Sequence, residues 1–386
     1  MKKNIFLLLS LLVAFTLTIK GYSFLHKSKT EAPKIEIKKN KPTKDSVFTL
    51  LFCGDMMGHM SMVNAAYNDS LKQYSYEHWF RFVSPYIAGS NLSIANLEVT
   101  LAGIPYSGYP QFSSPDAYAL SLKNVGFDVL VNANNHSQDK GKYGLERTIK
   151  VLDSLEINHT GTFMDSSSFE KKYPLMVNVL GCKIALLNYT YGTNGLPVTY
   201  PNIVNRIDSS SMVSALQKAR KNGADLVIPI VHWGQEYKIS ENEEQRNIAN
   251  LLARNGADAI VGMHPHVVEP IKEIRLAKSK SDTLRIPVAY SLGNFVSAQT
   301  DRYCDGGIML RMRCLKKNGS VKIIGYEYLP FWVWQQKKII QNGFAKGFYM
   351  VPERNINYLD SLEKQKATLF FSDVRSILNG VPEWKP

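Results

Sequence analysis

Short apolar runs rich in β-branched residues recur along this chain of 386 residues, and segments with helical periodicity lie between several of them. Strand patterns that alternate with helix patterns are typical of an α/β fold, because the helices cover the sheet that the strands build. We see no internal repeat and expect one large domain. The predicted strands are Val47–Cys53, Leu92–Ala95, Phe127–Val131, Lys183–Leu187, Leu226–Val231, Ala257–Val261 and Pro287–Tyr290, and the predicted helices are Pro115–Val125, Tyr143–Leu155, Ser209–Asn222 and Glu241–Asn255, the last two ending before Gly223 and Gly256.

Polar residues cluster directly after these apolar runs. In open α/β sheets, ligands bind beyond the carboxyl ends of the strands, so we expect the loops to converge on one crevice. The loops contain Gly54-Asp55, Asn96-Leu97-Glu98, Asn132-Ala133-Asn134-Asn135-His136, His232-Trp233-Gly234-Gln235-Glu236, Gly262-Met263-His264-Pro265-His266 and Ser291-Leu292-Gly293-Asn294-Phe295.

The side chains in these loops are of the types that bind metals. Imidazole together with carboxylate or amide oxygen suits zinc, iron or manganese. A carboxylate that bridges two such ions lets a metal-activated water attack while the ions stabilise the oxygens of the displacement. A histidine outside the coordination sphere can then protonate the leaving group. The set comprises Asp55, Glu98, Asn135 and four of the eight histidines, namely His136, His232, His264 and His266.

Most of these residues also have a purely structural explanation. Gly54-Asp55 fits a turn with an aspartate cap, and a single histidine such as His232 at a strand end is more often a core residue than a ligand. His264-Pro265-His266 is more specific, because two imidazoles around one rigid residue rarely serve packing. Asp139 either holds the Asn135-His136 turn or is a solvated turn residue. The joint occurrence of ligand types after several strands is what favours a metal site.

The same loops, from Gly54-Asp55 to Ser291-Leu292-Gly293-Asn294-Phe295, resemble the serial motifs of the CapA (poly-γ-glutamate capsule synthesis) family, in the family order. The resemblance extends from about Val47 to about Pro330. That family is in turn similar to calcineurin-like metallophosphatases, so the resemblance implies a four-layer αββα sandwich with a divalent metal site. The strand and helix pattern of this chain is compatible with that fold.

The resemblance also implies roles for individual residues. Glu98 stands where a bridging aspartate usually stands, and Met57 stands where the first metallophosphatase motif normally has a histidine. A thioether is a poor ligand for a hard or borderline metal, and whether His59 substitutes for the missing histidine is open. We therefore expect one or two divalent ions, of Zn, Mn or Fe. The implied ligands are Asp55, Glu98, Asn135, His232, His264 and His266, and the candidate catalytic acid is His136.

The N-terminal region carries most of the net charge of +13, because residues 1–44 contain ten lysines and two glutamates. Lys2 and Lys3 precede an apolar run, Ile5–Ile19, which is the layout of an export signal. Cleavage and retention as a membrane anchor are both open, although the lysines beyond the run oppose the usual positive-inside bias. The remainder is nearly balanced in charge and shows no nucleic-acid motif, so we expect no nucleic-acid partner.

We predict four segments along the chain. They are a signal peptide or membrane anchor over 1–25, a Lys-rich tether over 26–46, a CapA-like metallophosphatase-type domain over 47–335, and a C-terminal extension over 336–386 packed on the domain, with a helix at Ile356–Leu378. Gly307–Cys314 and Ser320–Leu329 alternate apolar and polar residues, as antiparallel strands do when one face meets water. Cys304 and Cys314 could pair in an oxidising compartment, but their spacing does not require it and we expect no bridge.

Two functions fit these observations. The first is an exported or membrane-anchored metal-dependent hydrolase of the cell envelope, in capsule or poly-γ-glutamate biosynthesis, that cleaves a phosphoester or an amide. Its partners would be an anionic polymer or a phosphate-containing substrate, the membrane through the N-terminal segment, and other capsule-synthesis subunits. The alternative is a non-catalytic capsule assembly or tethering subunit with a metallophosphatase-like fold, which the missing first-motif histidine favours. Fold analogy alone does not decide between them.

Overall fold

The computed structural model describes residues 45–277, 283–341 and 343–385. They belong to one compact unit, Lys39–Pro386. The signal or anchor predicted over 1–25 and nearly all of the tether predicted over 26–46 lie outside the described residues. Among the helices of the described part, none combines the length and the apolar character that a membrane crossing requires.

Strands and helices alternate through most of the chain, as predicted. The strands are β1 (Ser46–Met56), β2 (Tyr67–Asn68), β3 (Gln73–Tyr74), β4 (Leu92–Leu97), β5 (Val129–Val131), β6 (Asn158–Thr160), β7 (Thr162–Phe163), β8 (Leu175–Val179), β9 (Cys182–Thr190), β10 (Ile203–Val204), β11 (Leu226–His232), β12 (Ile260–Met263), β13 (Ile271–Ala277), β14 (Thr283–Ala289), β15 (Asn294–Val296), β16 (Gly306–Lys317), β17 (Ser320–Gln341) and β18 (Phe344–Pro352). The α-helices are α1 (Met60–Ala66), α2 (Ser84–Ala88), α3 (Asp116–Asn124), α4 (Gly141–Ser154), α5 (Ser166–Lys172), α6 (Ser209–Lys221), α7 (Glu243–Arg254) and α8 (Ser361–Ile377), with 3-10 turns at Glu77–Phe80 and Glu353–Tyr358.

Local sequence explains where α7 begins and where two of the helices end. The Asn242 side chain accepts the Gln245 backbone N–H, and the Gln245 side chain accepts the Asn242 N–H, so α7 begins after Asn242 rather than at the predicted Glu241. Gly223 and Gly256 follow α6 and α7 with φ of 81° and 101°, a left-handed backbone that glycine adopts without steric cost.

The first sheet has the strand order β18-β17-β16-β1-β4-β5-β6, with β15 also paired to β1. β1, β4, β5 and β6 run parallel to one another, whereas β16, β17 and β18 continue the sheet in antiparallel fashion. The carboxyl ends of β1, β4 and β5 therefore lie at the same edge.

The second sheet has the order β13-β14-β12-β11-β9-β8. Its four inner strands are parallel, and the two outer strands pair antiparallel at either side. β11 and β12 thus end side by side, with His232 opposite Met263 in register.

The two sheets share one core. Phe52 and Ile94 of the first sheet belong to the same buried cluster as Ile184, Ile228 and Val261 of the second. All five side chains are fully buried, and truncating a residue such as Ile228 to alanine costs about 2–5 kcal/mol in a core of this kind.

Helices cover the outer faces. Leu216 of α6 and Leu252 of α7 pack in a second cluster with Leu187 and Val231, which point away from the shared core. Helices α3, α4 and α8 contribute apolar residues to the cluster of the first sheet. The resulting order of helix, sheet, sheet and helix is the αββα sandwich, so the predicted fold class is confirmed.

The boundary predicted at residue 335 lies inside β17. Residues 336–386 complete that strand, add the edge strand β18 and supply α8, so they are an integral part of the domain. The sequence predicted the first part of this strand, Ser320–Leu329, but concealed its continuation. Phe331, Trp332, Val333 and Trp334 are all buried, and a strand covered on both faces does not alternate. The helix predicted from Ile356 begins later, after Asp360 caps it.

The four cysteines are buried and unbridged, as expected for Cys304 and Cys314. Burial raises the pKa of each of the four thiols, so they behave as small apolar core residues.

Candidate metal centre

The loops at the carboxyl ends of β1, β4, β5, β11 and β12 bring all six predicted ligands together. Each of the six side chains is 3% exposed or less. His264 and His266 have positive φ angles of 102° and 59°, an uncommon backbone for residues with a side chain. Strained backbone of this kind persists where the surrounding structure holds it, and it is concentrated at functional sites.

Two groups of ligand atoms share Glu98. Asp55, Glu98 and His266 form the first group, and Glu98, His232 and His264 form the second, with the ligand atoms of each group within 4.8 Å of one another. Glu98 Oε1 lies 3.5 Å from His232 Nε2 and 3.9 Å from His266 Nε2. Glu98 is therefore the residue that the two groups have in common, and its bridging role stays a prediction.

Asn135 completes the second group. Its Oδ1 lies 2.9 Å from His232 Nε2, and its Nδ2 donates a 3.2 Å hydrogen bond to Asn194 Oδ1. The carbonyl oxygen of the amide thus faces the imidazole ligands, where a metal would be bound.

Glu98 Oε1 and His264 Nδ1 are buried atoms of the centre that have no hydrogen-bond partner among the described residues. His266 Nδ1, in contrast, lies 3.3 Å from Asp55 Oδ2. A buried polar atom without a partner is costly, and a bound cation would satisfy a carboxylate oxygen and an imidazole nitrogen at once. The residues present fit one or two divalent ions.

Burial and neighbouring charges set the protonation of these groups. Burial raises the pKa of the Glu98 carboxyl well above its usual range, and nearby Asp55 raises it further. Burial lowers the pKa of His232 well below its usual value and that of His264 to about 3. It would also raise the pKa of Asp55, but the hydrogen bond and charge of His266 hold that pKa below its usual value. His232 and His264 are thus neutral, the form that binds metals.

Asn96 contacts three of the candidate ligands, a role that the sequence analysis did not predict. Its Nδ2 lies 2.8 Å from Asp55 Oδ1, 3.2 Å from Glu98 Oε2 and 3.3 Å from His232 Nδ1. Asn134 Nδ2 in turn donates to Asn96 Oδ1. Asn96 and Glu98 are two residues apart, and period-2 alternation in β4 was the signal that could have placed them on one face.

His136 lies beside the ligand groups and is oriented by Asp139. His136 Nδ1 lies 2.8 Å from Asp139 Oδ2, which also accepts the Phe112 backbone N–H at 2.6 Å. Because a carboxylate only accepts hydrogen bonds, His136 donates from Nδ1 and leaves Nε2 for the cleft. Of the two explanations for Asp139, the structure supports the one in which it holds the turn, since the side chain is buried.

Comparison with known proteins agrees with this geometry. Residues 49–299 match the family described as "Bacterial capsule synthesis protein PGA_cap". The chain belongs to this family. It is 31% identical over 304 residues to the "PGA biosynthesis protein CapA" of Bacillus subtilis (strain 168), covering 78% of this chain and 74% of that protein. It is 27% identical over 275 residues to the "Capsule biosynthesis protein CapA" of Bacillus anthracis, covering 67% of this chain and 62% of that protein.

Two solved structures are also similar. The NAD nucleotidase NadN of Haemophilus influenzae superposes with a TM-score of 0.47 at 13% identity, over 89% of this chain and 58% of that one. The calcineurin-like phosphoesterase YfkN of Bacillus subtilis gives 0.43 at 15% identity, over 86% of this chain and 99% of that one. The predicted resemblance to CapA proteins is confirmed by the family match over residues 49–299 and by the Bacillus subtilis relative.

Met57 stands at the position where the resemblance to metallophosphatases implied a histidine. The thioether is 2% exposed and lines the cleft next to the centre. His59 also lines that cleft, but neither group of ligand atoms includes it. Its Nδ1 accepts the Ala298 backbone N–H at 3.3 Å, which occupies the lone pair on that nitrogen.

A cleft of about 290 Å³ opens onto the centre of this PGA_cap protein. His136, Asp139, His266, Glu236 and Tyr237 are among the residues that line it. Among the described residues that line this cleft, none is a lysine or an arginine.

Proposed function

We propose that this protein is a metal-dependent hydrolase of the cell envelope that acts in capsule or poly-γ-glutamate biosynthesis. The observation that carries the proposal is the pair of ligand groups joined through Glu98, with unpartnered buried atoms, beside an oriented histidine in an open cleft. A purely structural cluster would satisfy its own polar atoms and would not need the cleft.

The ligands would divide between two positions. Asp55 and His266 would hold one ion with Glu98, and His232 and His264 would hold the other, with Asn135 adding its amide oxygen. A divalent ion at such a site supplies Lewis acidity that activates water and stabilises negative charge on the scissile group.

His136 would protonate the leaving group. To act as an acid, His136 would carry a proton on both nitrogens and give up the one on Nε2, while Asp139 accepts the Nδ1 hydrogen bond of the imidazolium and of the neutral ring that remains. The aspartate fixes both the tautomer and the ring orientation, as carboxylates do for catalytic histidines.

The substrate that we propose is an anionic polymer or a phosphate-containing molecule. The Bacillus subtilis relative is a PGA biosynthesis protein, which supports poly-γ-glutamate, and the candidate ligand set supports a phosphoester. An adjoining pocket of about 320 Å³ contains Lys337, Lys338 and Lys366. Gln335 of that pocket donates to the Gln299 carbonyl at the cleft, so the two cavities are neighbours. Asp305, Asp360 and Glu363 line the same pocket, so a polymer would meet a surface of mixed charge there.

The test uses the full-length protein loaded with Zn, Mn or Fe in turn. Metal content is measured by elemental analysis, and hydrolysis is assayed on a panel of phosphodiesters and on poly-γ-glutamate. Asp55→Ala and His264→Ala should lose metal and activity together. His78→Ala is the matched control, since His78 contacts the Lys346 carbonyl away from the ligand groups. Unchanged metal content in both site variants would refute the shared centre.

A second candidate is a non-catalytic capsule assembly or tethering subunit. Met57 in place of a histidine favours it, because one metal position then has a weaker ligand set. Full metal occupancy without hydrolysis of any substrate would support this function instead.

A further inference from the structure

His59 is a polar residue of the cleft that the proposed chemistry does not use. It directly precedes α1, and its carbonyl accepts the N–H groups of Met62 and Val63 at 2.8 and 3.1 Å. Its side chain makes no capping hydrogen bond to the helix and lines the cleft instead. The backbone that carries the imidazole is therefore held by the start of the helix.

The hydrogen bond to Ala298 fixes the tautomer of His59. A backbone N–H can only donate, so Nδ1 contributes a lone pair and a neutral ring carries its proton on Nε2. Burial lowers the pKa of His59 to about 4, and His266 and His136 lower it in the same direction. At neutral pH the ring is therefore uncharged and presents an N–H.

His59 and His136 flank the same aromatic ring and have opposite tautomers. The Phe112 ring centroid lies 5.4 Å from that of His59 and 4.6 Å from that of His136. His136 donates from Nδ1 to Asp139, whereas His59 accepts at Nδ1 from Ala298. One imidazole thus offers an Nε2 lone pair, and the other offers an Nε2 proton.

Because none of the described residues that line the cleft is a lysine or an arginine, an anion bound there depends on neutral hydrogen-bond donors such as the His59 N–H. An oxyanion held at the metal centre has oxygens that accept hydrogen bonds, and an oxygen that loses water on binding without gaining a donor is costly. A neutral imidazole N–H supplies such a donor without competing for metal, because its lone pair on Nδ1 is already engaged.

We infer that His59 binds substrate, donating from Nε2 to an oxygen of the oxyanion, phosphoryl or carboxylate, that occupies the metal centre. This inference rests on the metal centre of the proposed function. It assigns His59 to substrate recognition and not to the metal position that Met57 leaves short of a histidine.

The test is calorimetric titration of the metal-loaded, full-length protein with inorganic phosphate and, separately, with glutarate. His59→Ala should weaken binding of the preferred anion about tenfold or more, since a hydrogen bond to a charged group contributes about 1.5–3 kcal/mol. His59→Gln retains an N–H donor and should remain within about threefold of the wild type. Metal content should be unchanged in both variants and in the control His78→Ala. The anion that depends on His59 identifies the phosphoryl or the carboxylate group.

A second measurement is independent of binding. Nitrogen-15 NMR of the metal-free protein should show His59 as the neutral tautomer protonated at Nε2. A proton on Nδ1, loss of metal in His59→Ala, or anion binding that is absent or indifferent to both substitutions would overturn the inference.

These outcomes separate the inference from the proposed function. If phosphate or glutarate binding depends on His59 but no substrate is hydrolysed, the hydrolase fails and the inference stands. If substrate is hydrolysed and His59→Ala behaves as the wild type, the inference fails and the hydrolase stands.

Discussion

Glu269 is a buried carboxyl group that connects the histidine loop to α7. It lies three residues after His266 and is 0% exposed, and its Oε2 accepts a 2.7 Å hydrogen bond from Gln245 Nε2. Its Oε1 has no hydrogen-bond partner among the described residues. Burial raises the pKa of Glu269 from the usual 4.5 to about 8; the Gln245 hydrogen bond opposes this rise and the charge of Glu241 adds to it.

This raised pKa makes folding stability depend on pH. The folded state keeps the Glu269 proton up to about pH 8, whereas the unfolded chain loses it near pH 4.5. The stability contribution is therefore complete below about pH 4.5 and declines as pH rises through about 8. At about 1.36 kcal/mol for each pKa unit, the loss approaches about 4 kcal/mol at pH 8.

We predict that Glu269→Gln removes this loss, because the amide is neutral at every pH and can still accept from Gln245. The variant should match the wild type near pH 4.5 and be more stable by about 4 kcal/mol at pH 8. The free energy of unfolding, measured by denaturant titration between pH 4.5 and 8.5, gives both values. Glu170→Gln, at an exposed site on α5, is the control and should leave the pH dependence unchanged. Parallel pH curves for wild type and Glu269→Gln would show that the reasoning is wrong.

Three further predictions concern the centre and its support. Asp139→Asn should lower kcat about tenfold or more with metal content retained, because the carboxylate that orients His136 is lost; a fall in bound metal by elemental analysis would contradict this. Gly262→Ala should destabilise the fold by about 3 kcal/mol, seen as a lower thermal midpoint, because its Cβ would lie 1.8 Å from the Tyr290 carbonyl oxygen. Divalent metal at 100 times its dissociation constant should stabilise the protein by about 2.7 kcal/mol, and a chelator should reverse the shift; a midpoint indifferent to metal would exclude binding to the folded state.

Part of the architecture was predictable from local patterns alone. The strands that lead into the centre have short, β-branched runs with polar loops after them, and both properties are local. Helix ends at Gly223 and Gly256 were predictable for the same reason, since a left-handed residue is a local requirement. β17 was harder to delimit, because burial on both faces removes the alternation that marks a strand.

The sequence by itself determined which residue types stand at the carboxyl ends of the strands, and so the class of site. Only the tertiary structure decided which of them meet. Asp55 and His264 are 209 residues apart, yet the His264 N–H donates to Asp55 Oδ2 at 3.2 Å. The role of Asn96 and the tautomer of His59 depend on contacts between distant segments. No local pattern encodes such contacts, because they arise only when two sheets pack with their carboxyl edges together.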